Sequence, residues 1–208
     1  DYDVALWEML LHELAIDCGI TVPEARVMQI GGGYHTFMVK RFDRVGAARR
    51  FFASAMTMTG NQDSEDASYL ELAEFIATWG EPDHINHDLA ELFNRVVFNV
   101  ATANRDDHLR NHGFIRTPSG WRLAPAFDMN PSFKKGEHAL ALDLYNRQPD
   151  ISVVLATAGY YRLDLNRAEK IISDTGKVIA GWKTRARKLG LSAHAVAEAE
   201  HLFLSLNH

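Results

Sequence analysis

The sequence predicts an α+β fold that is mainly α, and three features of the chain support this. Apolar residues recur at intervals of three and four over several long segments, which is the spacing of amphipathic helices. Two pairs of short β-like segments interrupt these helices, one near the start and one after residue 112. The 208 residues are 47% hydrophobic and 24% charged, so the chain can bury a sizeable core.

The first part of the chain is predicted as one helix followed by a small sheet. The helix covers residues 3–17 and is stopped by Gly19. Two strands follow, over residues 25–30 and 36–42, and a run of three glycines joins them. The apolar face of the helix repeats at helical spacing and consists of Leu6, Leu10 and Leu14.

The remainder is predicted as helices that are interrupted by a single hairpin. Apolar residues over positions 89–100 indicate one long helix, and the pattern is helical again from residue 151, with residues 202–206 closing the chain. A capping box pairs a polar N-cap residue with a glutamate three positions later. Two such pairs predict helix starts, Ser68 with Glu71 and Asn166 with Glu169.

Charge, cysteine content and hydropathy exclude several classes of protein. A net charge of −5 argues against broad electrostatic binding of nucleic acid, which needs a basic surface. Cys18 is the single cysteine, so an internal disulfide is excluded. No apolar run approaches the roughly 20 residues of a membrane span. The expected location is therefore the cytoplasm.

One acidic segment carries the chemistry. Asp106 stands five positions before Asn111, and Asp128 follows after two predicted strands that a Pro- and Gly-containing turn at residues 117–120 connects. A hairpin returns the chain to its origin. Asp128 is therefore expected near Asp106 and Asn111, although it is remote in sequence.

These residue types suit a phosphoryl-transfer site. Carboxylate and amide oxygens are ligands that Mg²⁺ prefers, and Asn111 and Asp128 supply one of each. Asp106 is left to accept or orient the proton of an attacking hydroxyl. Asp107 competes for that role, but only Asp106 has the five-residue spacing to Asn111 that kinase catalytic loops use.

At these positions the chain resembles the HipA family of bacterial serine/threonine kinases, which are toxins of toxin–antitoxin pairs. The family's catalytic segment reads Asp-x-His-x-x-Asn and is followed by Pro-x-Tyr/Phe-Asp; here these are residues 106–111 and 125–128. The resemblance extends through Glu8, residues 41–44 and Trp182. It implies a protein-kinase-like large lobe with a remnant small sheet and a hinge at its N-terminal side.

The resemblance also implies a division of the chain and a set of roles. Residues 1–57 would form the first helix, the small sheet and the hinge, and residues 58–208 the helical lobe with the catalytic hairpin. ATP and Mg²⁺ would be the cofactors. The implied roles are Asp106 as catalytic base, Arg110 at the transferred phosphate, Asn111 and Asp128 at the metal, and Lys40, Arg41, Phe42 and His108 at the nucleotide. His108 could instead brace the loop.

Two parts of the family pattern are not found in the sequence. Upstream of its first long helix, the family has a small lobe with a phosphate-binding loop and a lysine. This chain starts at that helix, so we expect a fragment or a degenerate member. Glu8 would be the partner of that lysine, by analogy with the lysine–glutamate pair of protein kinases, unless it is simply solvated.

The resemblance further implies partners, and three functions stay open. The partners would be a protein substrate, such as an aminoacyl-tRNA synthetase, and an antitoxin of the HipB type, through which alone DNA would be contacted. A kinase is favoured over a pseudokinase or antitoxin-binding module. The third function is a metal-dependent phosphohydrolase built on Asp106, Asp107, His108 and Asp128.

The segment after Asp128 occupies the place of an activation loop. It runs over residues 129–149 and contains Ser132, Lys134 and Lys135. The two lysines are interpreted either as substrate contacts or as ordinary solvated loop residues.

Overall fold

The structure is a computed structural model that describes residues 2–206. The helices are α1 (Val4–Asp17), α2 (Ala55–Thr59), α3 (Tyr69–Trp79), α4 (Ile85–Ala101), α5 (Ile151–Ala156), α6 (Leu165–Ile179), α7 (Trp182–Leu189) and α8 (Ala193–Glu198). The strands are β1 (Ala25–Met28), β2 (Thr36–Val39), β3 (Arg44–Val45), β4 (Ala48–Arg49), β5 (Phe52–Ser54), β6 (Gly113–Arg116) and β7 (Trp121–Leu123). The mainly α, α+β architecture is as predicted.

The strands form three small antiparallel sheets. β1 pairs with β2, β3 pairs with β4, and β6 lies between β5 and β7. In the three-stranded sheet Ala53 lies opposite Phe114, which in turn lies opposite Leu123. The sequence predicted the β1–β2 and β6–β7 pairs but missed β5. This segment of three residues forms a strand only because it pairs with β6, about sixty positions away in the sequence.

Helix α4 runs through the core and delivers the chain to the predicted catalytic loop. It packs against α3 and α6, and its large apolar residues from Leu89 to Val100 are completely buried. Burial of each large apolar side chain contributes about 1.5–3 kcal/mol, so this helix is held along its whole length. Its last residue, Ala101, leads into the polar loop.

Helix α1 is fixed to the C-terminal helices by aromatic packing. Trp7 is fully buried, and its ring lies 6.2 Å from that of Trp182. The Trp182 ring in turn stacks on Phe203 at 4.0 Å with an angle of 9° between the ring planes. Such contacts join the two ends of the chain, which no local sequence pattern predicts.

One predicted capping box is confirmed and the other is wrong. The backbone N–H of Ser68 donates to Oε1 of Glu71 at 3.0 Å, as a capping box requires. The N-cap of the later helix lies two residues before the predicted one, because the carboxylate of Asp164 caps the helix and accepts a 2.8 Å bond from the N–H of Arg167. A charged carboxylate also interacts favourably with the helix dipole.

The predicted helical closing segment is also wrong. Residues 202–206 are not helical, since the N–H of Leu204 donates to the carbonyl of Ala101 at 2.9 Å. Leu202 and Leu206 are nevertheless buried. The apolar spacing therefore reflects docking on the end of α4, and the tertiary hydrogen bond decides the local conformation.

The hairpin β6–β7 is attached to α4 by a partly buried ion pair. The guanidinium of Arg122 makes two 2.9 Å bonds to the carboxylate of Asp88, which also accepts the N–H of Leu123 at 2.9 Å. Burial would raise the pKa of Asp88, but these bonds outweigh it and the pKa lies below its usual value. These bonds fix the hairpin, and the segment that follows it, against the core.

Gly113 provides a test of this close packing. A Cβ atom at this position would lie 2.3 Å from a ring carbon of Phe52 and 2.7 Å from the carbonyl oxygen of Ala53. We expect Gly113→Ala to lower the free energy of unfolding by about 1–3 kcal/mol, because the sheet must shift. Denaturant titration measures this change.

Gly33→Ala is the matched control for Gly113→Ala. A Cβ atom added at Gly33 would have no other atom within 4 Å, and the backbone there needs no positive φ. Its free energy of unfolding should stay within about 1 kcal/mol of wild type. Equal effects of the two substitutions would contradict the packing at β5–β6.

Candidate active site

The loop between α4 and β6 begins with a sharp backbone reversal. Ala103 has φ 53°, in the left-handed region that non-glycine residues rarely occupy. The next residue, Asn104, is held on the last turn of α4: its N–H donates to the carbonyl of Asn99, and its amide nitrogen to the side-chain oxygen of Asn99, both at 3.0 Å. The strained turn is thus stabilised by tertiary hydrogen bonds.

Asp107 fixes this loop from inside the protein. Its carboxylate oxygen accepts bonds from the hydroxyl of Tyr69 at 2.5 Å, the amide of Asn99 at 2.6 Å and Nε2 of His112 at 2.7 Å. Burial would raise the pKa of Asp107, but the neighbouring His112 and these bonds outweigh it, so its pKa is lowered. Three structural elements converge on one buried negative charge.

The side chain of Asp106 is exposed to solvent, unlike that of Asp107. Its side chain is 61% exposed, while Asp107, the next residue, is only 4% exposed. Because Asp107 is anchored below the surface, the chain presents Asp106 to solvent. The side chain therefore lies where an incoming hydroxyl group can reach it.

Asn111 lies beside Asp106. Its amide nitrogen donates to the carbonyl oxygen of Asp106 at 3.3 Å, and its backbone N–H to that of His108 at 2.8 Å. Since the amide nitrogen is used as a donor, the amide oxygen is the atom of Asn111 that can bind a cation.

The segment that carries Asp128 is held at three points. Arg95 of α4 donates to the carbonyl of Ala124 at 2.8 Å, and the N–H of Ala126 donates to the carbonyl of Thr21 at 2.8 Å. The N–H of Ala124 donates to Gly113 at 2.9 Å. Asp128 itself has φ 57° and is exposed. Its unusual backbone is therefore determined by its surroundings.

Hydrogen bonds bring this segment to the loop of Asp106. The N–H of Asn130 donates to the side-chain oxygen of Asn104 at 3.3 Å, and the N–H of Ser132 to the carbonyl of Ala103 at 2.8 Å. Asn111 and Asp128 line two adjoining small cavities that share Phe127 as a wall. The two segments thus meet, as the predicted hairpin requires.

Glu8 of α1 lies close to Asp128. It lines the cavity together with Asp128, and burial with the charge of Asp128 raises its pKa to about 7. Neither carboxylate forms an ion pair with a residue of the range 2–206. Two carboxylates without a neutralising partner are chemically suited to a cation, and the carboxylate oxygens of Asp128 and the amide oxygen of Asn111 are of the ligand types that Mg²⁺ prefers.

The three predicted hinge residues differ in their surroundings. The ring of Phe42 stacks on that of Phe127 at 5.8 Å, directly next to Asp128. The side chains of Lys40 and Arg41 form exposed ion pairs with Glu24 and Asp43, respectively. The backbone N–H of Lys40 is already bonded to Glu24 at 2.8 Å. Phe42 is therefore the hinge residue that packs against the site.

The remaining candidates lie on the same loop. Arg110 is exposed, and its side chain takes part in no hydrogen bond or ion pair within the described part of the chain. His108 is half-buried, and its backbone N–H donates to the carbonyl of Asp106 at 3.0 Å. Both predicted roles, at the phosphate and at the nucleotide, remain predictions.

The four residues considered for a hydrolase do not form one metal cluster. Asp107 is enclosed in its own network, away from the exposed Asp106. Among residues 2–206, no three side chains of His, Cys, Asp or Glu come together as a group that could hold a metal. A two-metal site for activating water is therefore not assembled.

Sequence reasoning missed the residues that hold the site together. Asn104 and Asn130 join the two segments, and Tyr69 anchors Asp107 from 38 positions away. The only available signal was compositional: asparagines at positions 99, 104, 111 and 130 surround the motif. Partner choice at such distances cannot be deduced from spacing.

Comparison with known proteins decides the family. The model of the HipA-like C-terminal domain matches residues 2–182, which is most of the chain. The chain belongs to this family. The HipA-like assignment agrees with the positions of the two motifs, and it includes both the loop of Asp106 and the segment of Asp128.

One curated relative is similar over much of the HipA-like domain. It is the protein named "Putative kinase Y4dM" of Sinorhizobium fredii, which is 23% identical over 211 aligned positions. The alignment covers 89% of this chain and 50% of the relative. The chain therefore spans about half the length of the curated relative that it matches.

Two solved structures share the fold. HipA of Shewanella oneidensis, determined in a complex of HipA, HipB and operator DNA, superimposes with a TM-score of 0.75 at 19% identity, covering 99% of this chain and 55% of that one. The proinflammatory kinase CtkA of Helicobacter pylori gives 0.56 at 15% identity, covering 97% and 88%. The HipA-like domain has a kinase-like fold.

The buried network makes a prediction about stability. Asp107→Asn should lower the free energy of unfolding by about 3 kcal/mol, because His112 and Tyr69 lose a charged acceptor. A lowered pKa stabilises the fold above the ordinary aspartate value of 3.8, and this contribution is lost as pH falls through the folded-state pKa. Between pH 7 and pH 3, the free energy of unfolding of Asp107→Asn should therefore fall less than that of the wild type. Denaturant titrations over this pH range measure the difference.

Asp106→Asn is the matched control. Asp106 is exposed, so its substitution should change the free energy of unfolding by less than about 1 kcal/mol. If both variants have the same stability, Asp107 is not the anchor of the loop.

Proposed function

We propose that this chain is the large lobe of a serine/threonine protein kinase that uses ATP and Mg²⁺. The observation that carries the proposal is the opposite orientation of two consecutive aspartates: Asp107 is locked inside, and Asp106 is presented to solvent beside Asn111. Phosphoryl transfer depends mainly on positioning and charge neutralisation, for which such a rigid loop is suited.

Each residue of the site has a role in this reaction. Asp106 orients the hydroxyl of the protein substrate and accepts its proton. Asn111 and Asp128 would hold a magnesium ion, which when bound neutralises charge on the nucleotide phosphates. Arg110 faces the solvent near Asp106 and would bind a phosphate oxygen.

Phe42 and Glu8 complete the nucleotide side of the site. Phe42 is stacked on Phe127 and offers an apolar edge for a base. Glu8 lies next to Asp128, where a lysine of a complete kinase would neutralise it. Burial and the charge of Asp128 raise the pKa of Glu8, and a cation placed beside it would favour its charged form.

An antitoxin is the proposed protein partner. The related HipA was solved together with HipB and operator DNA. The net charge of −5 disfavours direct DNA binding by this chain, so contact with DNA would be made through the partner.

A binding module without transfer activity is the second candidate. Several apolar side chains near β1–β4 are 43–65% exposed, as expected of a surface that another protein or another part of a longer chain covers. They are Met28, Ile30, Tyr34, Val45 and Phe51. Absence of phosphate transfer together with tight binding of an antitoxin would favour this function.

The base can be tested by substitution in the longest natural protein that contains the chain. Asp106→Ala should reduce transfer of labelled phosphate from ATP to protein by at least about 100-fold, since the hydroxyl loses its proton acceptor. Nucleotide affinity should be largely unchanged, because Asp106 does not hold the metal. Asp83→Ala, an exposed aspartate in the turn before α4, is the control. Transfer by Asp106→Ala at the wild-type rate would reject the assignment.

The metal ligand gives a different expected result. Asp128→Ala should weaken binding of Mg-ATP by at least roughly tenfold, because loss of a group that only supports a metal ligand already has an effect of this size. Calorimetric titration of Mg-ATP and of ATP with chelator separates the contribution of the metal. Equal affinities of wild type and Asp128→Ala for Mg-ATP would contradict the role of Asp128.

A further inference from the structure

The carboxylate of Asp106 already has a cationic neighbour. Nζ of Lys135 forms an ion pair with Oδ1 of Asp106, and the two side chains are 49% and 61% exposed. In the described part of the chain, no other side chain is bonded to this carboxylate. Lys135 therefore stands at the point where a substrate hydroxyl has to arrive.

The backbone places Lys135 there. Its carbonyl accepts a 2.6 Å bond from the guanidinium of Arg105, the residue immediately before Asp106. On either side, the N–H of Ser132 donates to Ala103 at 2.8 Å and the N–H of Ala139 to Arg105 at 2.9 Å. The segment of residues 132–139 is thus fixed in register with the loop of Asp106, and the ion pair follows from that register.

Stability alone does not account for this arrangement. An ion pair between two exposed side chains adds little to folding free energy. Lys134, the adjacent residue, is also exposed and forms no ion pair within residues 2–206. Of two neighbouring exposed lysines, only Lys135 is therefore paired with the carboxylate of Asp106.

We propose that Lys135 is a positioning residue for phosphoryl transfer. Its ammonium group orients the carboxylate of Asp106 and brings positive charge to the place where the transferred phosphoryl group passes. The proposal rests on the proposed kinase function. A fixed cation at this place offsets the repulsion between the carboxylate and the phosphate oxygens, and such preorganised charge is a main source of catalysis.

The reaction balances without a covalent role for Lys135. The bond between the γ-phosphorus and the bridging oxygen of ATP breaks, and ADP leaves with the electron pair. The substrate hydroxyl oxygen forms the new bond to phosphorus, and its proton passes to Asp106. Lys135 keeps its proton throughout.

Matched substitutions test this role in the longest natural protein that contains the chain. The probe is γ-labelled ATP with Mg²⁺, and label is counted both in the protein itself and in added casein. Lys135→Ala should lower kcat roughly 10- to 100-fold. The KM for ATP and the rate of Lys134→Ala should stay within about twofold of wild type.

Two further readouts separate positioning from a structural effect. Lys135→Arg should recover most of the rate, because the charge is retained. Ethylammonium added to Lys135→Ala should restore part of kcat, whereas it should not rescue Asp106→Ala. Thermal unfolding of Lys135→Ala should match that of Lys134→Ala, since both residues are exposed.

The outcomes distinguish the two proposals. An active wild type in which Lys135→Ala equals Lys134→Ala overturns the role of Lys135 and leaves the kinase intact. A faster Lys135→Ala variant also overturns it and makes Lys135 a blocking group. A wild type that transfers no phosphate overturns both proposals.

Discussion

The buried carboxylate of Asp107 is the constraint on which the site depends. Leaving a charge inside a protein is costly unless hydrogen bonds and an opposite charge satisfy it. Tyr69 from α3, Asn99 from α4 and His112 at the end of the loop provide those partners. Because all of them must converge on the same oxygen, the loop has a single stable path over the core. The exposed position of Asp106 is a direct result.

The second half of the site is held by a different kind of contact. The chain from Ala124 to Asp128 has no regular secondary structure. Its backbone is held by hydrogen bonds to the side chain of Arg95 and to the carbonyl groups of Thr21 and Gly113. This leaves the carboxylates of Asp128 and Glu8 side by side without a neutralising residue. Within the described residues, Asp128 is thus not paired with a cation, whereas Asp106 in the neighbouring loop is paired with Lys135.

Local physical rules predicted much of this architecture. Helical spacing gave α1, α3 and α4, turn chemistry gave the β6–β7 hairpin, and the return of that hairpin predicted that the segment of Asp128 meets the loop of Asp106. The failures have two causes. Strand β5, the start of α6 and the closing segment each depend on a partner that lies elsewhere in the chain or on a better local cap than the predicted one. Spacing shows which residues share a face but not what that face contacts.

The sequence by itself determined the fold class, the family motifs and the identity of the polar residues at the site, because periodicity and residue chemistry are local properties. Tertiary structure alone decided which of two adjacent aspartates is buried, and which of two adjacent lysines reaches the exposed one. Those choices depend on the register of residues 132–139 against the loop. That register is set by hydrogen bonds between residues about thirty positions apart, whose geometry no short stretch of sequence encodes.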